Sequence, residues 1–219
     1  MLKKNFLYKV TKWLVSFYRW LMLEASLTLT EPLPAGPKIF VANHPSSLDP
    51  FYMFSLLPEK VVALIGGDFF HLFLLGKLFA LSGHIPVEEG RGQQVLILAK
   101  EKIRQGQNVL IFLEGKLSSD VEQHHKPKTG AVRLAFMTGA PIVPLGIFLD
   151  PGRSKIYKTQ VNGDDKKGVF YLRGPYHVVA GEALTIKGDV EDREMVRKKS
   201  EALSKKIKEL VREGQAKVR

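Results

Sequence analysis

The chain has 219 residues, of which 45% are hydrophobic and 25% charged, and this length and composition suit one compact domain and make a second full domain unexpected. There is no cysteine, which excludes a disulfide framework, a thiolate metal site and a cysteine nucleophile. The formal net charge of +11 favours anionic partners, namely nucleic acid, an anionic membrane or an acidic carrier protein, without choosing among them.

Residues 1–30 combine apolar, aromatic and basic side chains. Lys9, Lys12, Arg19 and Glu24 interrupt every window of the ~20 apolar residues that a membrane span requires, and no small-residue cleavage site follows an apolar core as it would in a signal peptide. The segment predicts an amphipathic helix in the interface of an anionic bilayer, the alternative being an ordinary amphipathic helix packed on its own domain. The apolar residues at helical spacing are Phe6, Val10, Trp13, Leu14, Phe17, Trp20 and Leu21.

Short apolar runs and helical segments alternate after the break at EPLPAGP. Strands are predicted for KIFVAN, VVALI, HIPVEE, NVLIFLEG and PIVPLGIFL. Helices are predicted for FYMFSLL, DFFHLFLLGKLFALSG, QQVLILAKEKIRQG and AVRLAFMTG, the last closed by Gly139. This order predicts an α/β domain over residues 31–219, with a largely parallel central sheet that carries helices on both faces.

The last third of the chain is less regular. YKTQVNGDDKKGVFYLRGPYHVVAGEALTI predicts a hairpin with an NGDD turn and then another strand, which would make the sheet mixed rather than purely parallel. From Asp189 a charged helix is expected to dock on the body through Val196, Leu203, Ile207 and Leu210, and to end at Gly214.

The stretch FVANHPSSLD places polar residues where a buried strand is expected to end, the edge at which open α/β sheets gather their ligand-binding loops. Ser46 or Ser47 would cap the following helix, Asp49 would favour its positive N-terminus and Pro50 suits its first turn. Capping does not explain His44. A tight turn would bring Asp49 to one imidazole nitrogen of His44 and leave the other nitrogen to take a proton from a bound hydroxyl.

Neither serine of this turn is predicted to be a nucleophile, because Ser46 and Ser47 do not lie in a strained G-x-S-x-G elbow. The hydroxyl of the substrate would attack instead. An isolated H-x4-D pair is a weak motif that occurs often by chance.

The pair belongs to the first of four blocks that follow one another in a fixed order. NHPSSLD (43–49) matches N-H-x4-D, GHIPVEEGR (83–91) a second block, FLEGKLS (112–118) the pattern F-P-E-G-T-R-S, and APIVPLGI (140–147) the pattern V-P-I-V-P-V. In these blocks the sequence resembles the glycerolipid acyltransferases, the family that contains 1-acyl-glycerol-3-phosphate acyltransferase, over roughly residues 38–148. Residues 31–219 would then be the acyltransferase domain.

The resemblance implies direct acyl transfer from a thioester of coenzyme A or acyl carrier protein to a lysolipid hydroxyl, without a covalent acyl-enzyme. His44 would be the general base, and Asp49 would orient it and stabilise the imidazolium. The substrate-binding residues would be Asn43, Arg91, Glu114, Gly115, Lys116 and Lys128. No metal or organic cofactor and no nucleic-acid partner is expected, and the protein would lie peripherally on the cytoplasmic face of a membrane.

Two blocks depart from the family pattern. Glu89 replaces the arginine that usually closes the second block, and Lys116 and Leu117 replace the threonine and arginine of the third. We expect a phosphate site rebuilt from Arg91, Lys116 and Lys128; the alternative is a neutral or amine-bearing acceptor, which Glu89 would not repel.

Two further alternatives are open. One is a non-catalytic relative that binds lipid or carrier. The other is a nucleic-acid-binding protein, which the charge suggests and the absence of a base-reading or stacking motif opposes.

Overall fold

A seven-stranded sheet forms the centre of the computed structural model, which describes residues 2–71, 75–115, 117, 126–161 and 164–217. The strands are β1 Leu23–Leu29, β2 Ile39–Ala42, β3 Val61–Gly66, β4 Ile85–Val87, β5 Asn108–Phe112, β6 Ile142–Leu149, β7 Lys155–Val161, β8 Asp164–Phe170 and β9 Gly174–Ala180. The helices are α1 Leu2–Met22, α2 Asp49–Leu56, α3 Leu75–Ser82, α4 Gly92–Arg104, α5 Gly130–Thr138 and α6 Arg193–Ala216.

The sheet has the order β1-β9-β6-β2-β5-β3-β4. Neighbouring strands run parallel except where β6 meets β9, with Leu149 opposite Tyr176. The predicted α/β class and the mixed sheet are therefore confirmed. Because β2, β3, β4, β5 and β6 share one direction, their carboxyl ends lie at one edge of the sheet, where a ligand site is expected.

Helices cover both faces of the sheet because its central strands are apolar on both sides. All four residues of β2 are fully buried. Phe40 and Ala42 face α2 and α3, together with the inner side of α1, whereas Ile39 and Val41 face α4, α5 and α6.

Helix α6 lies directly on β6 at a glycine. A Cβ on Gly146 would be 2.4 Å from the backbone carbon of Leu210 and the backbone nitrogen of Val211. Asp192 caps the helix by accepting from the Met195 N–H at 2.9 Å. The predicted end at Gly214 is wrong: α6 continues to Ala216, and Gly214 is buried where a Cβ would be 3.2 Å from that of Phe148. This glycine permits a close approach to the sheet instead of ending the helix.

Three segments differ in detail from the sequence prediction. The N-terminal helix ends at Met22, and residues 23–29, predicted as part of the same segment, form the edge strand β1 on β9. Gly67–His71 is a short 3-10 helix, α3 begins at Leu75, and residues 72–74 lie outside the described part of the chain. The predicted hairpin is β7 and β8, which form a separate antiparallel pair; Asn162 and Gly163 of its turn also lie outside the described residues.

Candidate active site

The site begins at the end of β2, between β5 and β6, with Asn43. Its side-chain amide donates to the carbonyl of Ile147 at 2.8 Å, and its carbonyl oxygen accepts from the N–H of Ile147 at 2.7 Å. These two bonds tie the end of β2 to β6 and fix where the following turn starts. The predicted contact of Asn43 with substrate stays a prediction.

His44 and Asp49 meet within this turn, as the spacing predicted. Nδ1 of His44 lies 2.9 Å from Oδ2 of Asp49, and the imidazole stacks on Phe112 with ring centroids 4.1 Å apart and planes 18° apart. The side chain of His44 is 17% exposed and that of Asp49 is fully buried. An ionised carboxylate only accepts hydrogen bonds, so Nδ1 donates and Nε2 is the basic nitrogen of the neutral ring.

Asp49 is surrounded by donors. Oδ2 also accepts from the backbone N–H of Ser46 at 2.8 Å, and Oδ1 accepts from the hydroxyl of Tyr176 at 2.9 Å. Complete burial raises the pKa of the Asp49 carboxyl above its ordinary value, whereas His44, the Ser46 N–H and the Tyr176 hydroxyl act in the opposite direction. Asp49 is therefore a buried carboxylate whose negative charge is stabilised by three hydrogen-bond donors.

The two serines of the turn do not cap α2, contrary to the prediction. Leu48 occupies the cap position without a side-chain cap bond. Ser46 Oγ donates to the carbonyl of Val169 and accepts from the N–H of Tyr171, both at 3.2 Å. Ser47 donates its N–H to the Val169 carbonyl at 2.7 Å and accepts the Val169 N–H on Oγ at 3.1 Å. The end of β8 thus braces the turn, a role that sequence spacing could not indicate.

The third block follows β5, the strand next to β2. Gly115 has a φ of +61°, which glycine adopts readily, and a Cβ there would be 3.4 Å from Cγ of Lys128. Lys128 donates its N–H to the carbonyl of Leu113 at 2.9 Å and lies just before α5, as predicted. Glu114 is half-buried at the same turn. Lys116 lies outside the described residues, so its predicted contact with the acceptor stays a prediction.

The second block contains β4 and the loop after it, at the outer end of the same edge. Arg91 Nη1 lies 2.8 Å from Glu88 Oε2, with side chains 62% and 46% exposed, and Glu89 is also exposed. Three inter-strand spacings separate β4 from β2, about 14 Å in all. Arg91 follows the end of β4 by four residues and already has a carboxylate partner in Glu88.

A small apolar cavity lies between α1, α2 and α3, beside the start of α2. His84 lies on its wall, where Nδ1 accepts from the Ala63 N–H at 3.0 Å. Burial, with a smaller contribution from Lys60, lowers the pKa of His84 to about 4. This imidazole is a neutral structural acceptor rather than a second base. The lining residues are Thr11, Pro50, Phe51, Phe54, Ile65, Phe79, Ser82 and His84.

Helix α1 packs on the domain through one face and exposes an aromatic stripe on the other. Lys12 Nζ donates to the carbonyl of Leu57 at 2.9 Å, and the Tyr18 hydroxyl donates to the carbonyl of Leu172 at 2.7 Å. Trp13, Phe17 and Trp20 are 65%, 52% and 75% exposed, whereas the side chain of Phe6 lies outside the described ones. Among the helices described, none is long and apolar enough to cross a bilayer.

Sequence reasoning missed Tyr176 on β9, Val169 on β8 and Tyr171 just after β8, which hold the turn through hydrogen bonds. No motif or spacing marks them, since they lie beyond the four blocks. In the described part of the chain, no group of three or more His, Asp or Glu side chains is arranged to hold a metal ion. The expectation that no cofactor is needed stays a prediction.

Known relatives are similar to this chain in sequence over part of its length. A 1-acyl-sn-glycerol-3-phosphate acyltransferase of Limnanthes alba is 30% identical over 111 residues, which are 49% of this chain and 39% of the relative. A probable 1-acyl-sn-glycerol-3-phosphate acyltransferase of Mycoplasma genitalium is 28% identical over 167 residues, 69% of this chain and 60% of the relative. The chain thus spans less than two thirds of either relative.

The fold and the family are shown by two further comparisons. The crystal structure of the 1-acyl-sn-glycerophosphate (LPA) acyltransferase PlsC from Thermotoga maritima superposes with a TM-score of 0.64 and 18% identity, covering 94% of this chain and 81% of that one. At this identity the likeness shows the fold alone. The acyltransferase family model matches residues 25–148, more than half of the chain. The resemblance found in the sequence is confirmed, and the chain belongs to the acyltransferase family.

Proposed function

We propose that this protein moves a fatty acyl group from an acyl thioester to a hydroxyl of a lysophosphatidic-acid-like acceptor. The observation that carries the proposal is the 2.9 Å contact between His44 and a fully buried Asp49 at the carboxyl end of β2. A base held by a buried carboxylate suits proton abstraction from a hydroxyl. The names of the Limnanthes and Mycoplasma relatives support the same reaction.

The reaction needs one base and no protein nucleophile. Nε2 of His44 takes the proton of the acceptor hydroxyl while the hydroxyl oxygen attacks the thioester carbonyl carbon. The new C–O bond forms, the C–S bond breaks, and the proton passes to the leaving thiolate. Asp49 stabilises the imidazolium that forms between these steps. The bonds of Ser46 and Ser47 to the end of β8 support this direct route, because they occupy both hydroxyls in structural contacts.

For the acceptor headgroup, we favour a phosphate held by Lys128, Lys116 and Arg91. Lys128 is exposed beside the turn at Gly115 and close to the start of α5, where an anion is favoured. The ion pair of Arg91 with Glu88 supports the alternative, a neutral or amine-bearing acceptor, because a phosphate must compete with Glu88 for that guanidinium. Both groups are exposed, so the pair is weak and a phosphate can displace it.

The donor would be acyl-CoA or acyl carrier protein, acting as co-substrate without any other cofactor. The enzyme would bind peripherally to the cytoplasmic face of an anionic membrane through α1, whose exposed tryptophans suit the headgroup boundary.

The test is to incubate the purified protein in detergent with acyl-CoA or acyl carrier protein and a panel of lysolipids, and to identify products by mass spectrometry. His44→Ala should lower turnover by ~10² to 10⁴, the usual effect of removing a general base. An equal rate in His44→Ala would contradict the mechanism. If the wild type binds lipid or carrier without any turnover, the protein is a non-catalytic relative. If it binds polynucleotides tightly and in a salt-sensitive way without turnover, it is a nucleic-acid-binding protein.

A further inference from the structure

Tyr176 reaches the catalytic pair from β9, a strand outside the stretch that the family model matches. β9 is separated from β2 by β6, and its Tyr176 points to the sheet face on which α2 packs. Its side chain is fully buried. Its hydroxyl lies 2.9 Å from Oδ1 of Asp49. A residue 127 positions away in sequence thus holds the carboxylate oxygen that His44 does not use.

The hydrogen bond has a fixed direction. An ionised carboxylate only accepts, so the Tyr176 hydroxyl donates. Burial raises the pKa of Tyr176 well above its ordinary value, with a smaller contribution from the charge of Asp49, so the hydroxyl keeps its proton throughout the working pH range. Tyr176 is therefore a permanent donor to Asp49.

The groups around Asp49 come from four elements. Oδ2 faces His44 and the N–H of Ser46 in the turn, and Oδ1 faces Tyr176. The ring of Tyr52 on α2 packs edge-on against Tyr176 at 5.1 Å, and its hydroxyl donates to the carbonyl of Tyr171 at 2.7 Å. Tyr18 of α1 stacks on Tyr52 at 6.3 Å. Tyr176 is thus the tyrosine in this group whose hydroxyl bonds the carboxylate.

We propose that Tyr176 is a positioning residue for the catalytic pair: its hydroxyl holds Oδ1 so that Asp49 stays ionised and Oδ2 accepts from Nδ1 of His44. The inference rests on the proposed function, in which His44 must present an unprotonated Nε2.

The physical reason is the tautomer of His44. A buried carboxylate oxygen without a donor is unfavourable, and a proton on the carboxyl relieves it. A protonated Asp49 would donate to Nδ1, which would place the proton of the neutral ring on Nε2. That nitrogen could then accept nothing from the acceptor hydroxyl. By favouring the charged carboxylate, Tyr176 keeps the ring in the tautomer that acts as a base.

The test is Tyr176→Phe, which keeps the ring and removes the hydroxyl. When His44 is neutral, it does not balance the negative charge of Asp49, and the carboxylate then depends most on the Tyr176 hydroxyl. Losing this hydroxyl therefore favours the state in which the His44–Asp49 pair has taken up a proton. The acid limb of kcat/KM should move to higher pH, and kcat should fall about 10- to 100-fold with KM nearly unchanged, as expected for one bond to a charged group. Tyr52→Phe is the matched control, because it removes a neighbouring buried hydroxyl that does not bond Asp49; its acid limb should stay in place.

A second variant covers the case in which Tyr176→Phe does not fold. Fluorotyrosine placed at 176 alone keeps the shape and makes the phenol a stronger donor, so the acid limb should move to lower pH. An acid limb that stays in place in either folded variant, or moves equally in Tyr52→Phe, would overturn the inference.

The ¹³C NMR titration of the Asp49 carboxyl separates this inference from the proposed function, because it needs no turnover. The titration should move to higher pH in Tyr176→Phe and to lower pH with fluorotyrosine. If the wild type shows no acyl transfer but the Asp49 titration moves in the variants, the proposed function is wrong and the role of the Tyr176–Asp49 hydrogen bond is supported. If the wild type is active and neither titration moves, Tyr176 has no such role.

Discussion

Asp49 is fully buried and receives three hydrogen-bond donors, whereas Arg91, at the same edge of the sheet, is 62% exposed and pairs with Glu88 across the surface. The buried turn is held by residues from β6, β8 and β9, so a change in it disturbs many contacts at once. Lys128, which follows β5, is exposed as well. In the proposed reaction, proton transfer would thus depend on the packed turn, whereas the choice of acceptor would depend on a few surface charges that can change at small structural cost.

The largest expected effect comes from Asp49→Asn, which changes the buried turn. The amide keeps the size of the side chain, but its NH₂ can face Nδ1 of His44 and impose the unproductive tautomer. We expect turnover to fall ~10²- to 10⁴-fold. Single-turnover assays with mass spectrometry measure it, and thermal unfolding checks that the variant is folded. A loss below threefold in a folded variant would mean that Asp49 does not orient the base.

On the exposed side, the aromatic stripe of α1 gives the next largest effect. Replacing Trp13, Phe17 and Trp20 by serine should release the protein from anionic vesicles, because three apolar side chains worth about 1.5–3 kcal/mol each no longer enter the interface. Vesicle sedimentation measures binding, and turnover on a soluble short-chain acceptor should persist. Deleting residues 1–22 is the harsher version. A truncated chain that fails to fold would show that α1 belongs to the core.

His84, on the wall of the apolar cavity, sharpens the comparison through pH. The pKa of His84 is lowered from 6.5 to about 4, so the neutral ring stabilises the fold above pH 6.5, and this contribution is lost as the pH falls through 4. The shift corresponds to about 3 kcal/mol. Urea unfolding at pH 7 and pH 4 should show a smaller acid loss in His84→Gln than in the wild type. The same acid loss in both proteins would assign it to other groups.

Acceptor choice should respond to Lys116 and Lys128. If Lys116 and Lys128 bind phosphate, replacing both by alanine should lower kcat/KM for lysophosphatidic acid about tenfold more than for neutral or amine-bearing acceptors, as loss of charge-assisted bonds predicts. Glu89→Arg is the companion variant. Equal losses on every acceptor, or a phosphate preference gained only in Glu89→Arg, would favour the altered acceptor.

The smallest effect is expected from Glu88→Gln. The ion pair with Arg91 is exposed, so its loss should change the free energy of unfolding by less than about 1 kcal/mol. The freed guanidinium should raise kcat/KM a few-fold on a phosphate acceptor and leave a neutral acceptor unaffected. Arg91→Ala is the control, since the gain must vanish when both residues are replaced. A gain on every acceptor would separate Arg91 from phosphate recognition.

Local patterns predicted the parts of this molecule whose contacts are local. The strand 39–42 is a continuous apolar run, and His44 meets Asp49 five residues away, so one turn contains the whole interaction. The prediction that Ser46 or Ser47 caps α2 is wrong because their partner Val169 is more than 120 residues away, where local sequence does not indicate it. The sequence does not indicate Tyr176 for the same reason, since 127 positions separate it from Asp49.

Glycine shows a different limit of sequence reasoning. A glycine late in a helical pattern predicts a helix end, as it does at Gly139, where φ is +70°. Gly214 has the same pattern but serves close packing on Phe148. The sequence does not distinguish the two uses, because the second depends on which strand lies under the helix.

The bond between Tyr176 and Asp49 also has a consequence for synthesis on the ribosome. Its two residues are 127 positions apart, so at about 5–20 residues per second the tyrosine is added roughly 6–25 s after the aspartate. During that interval the nascent chain carries the His44 turn without Tyr176 or the end of β8. The site is completed only after β9 has been translated, which would delay the reactive pair until the strands that enclose it have been made.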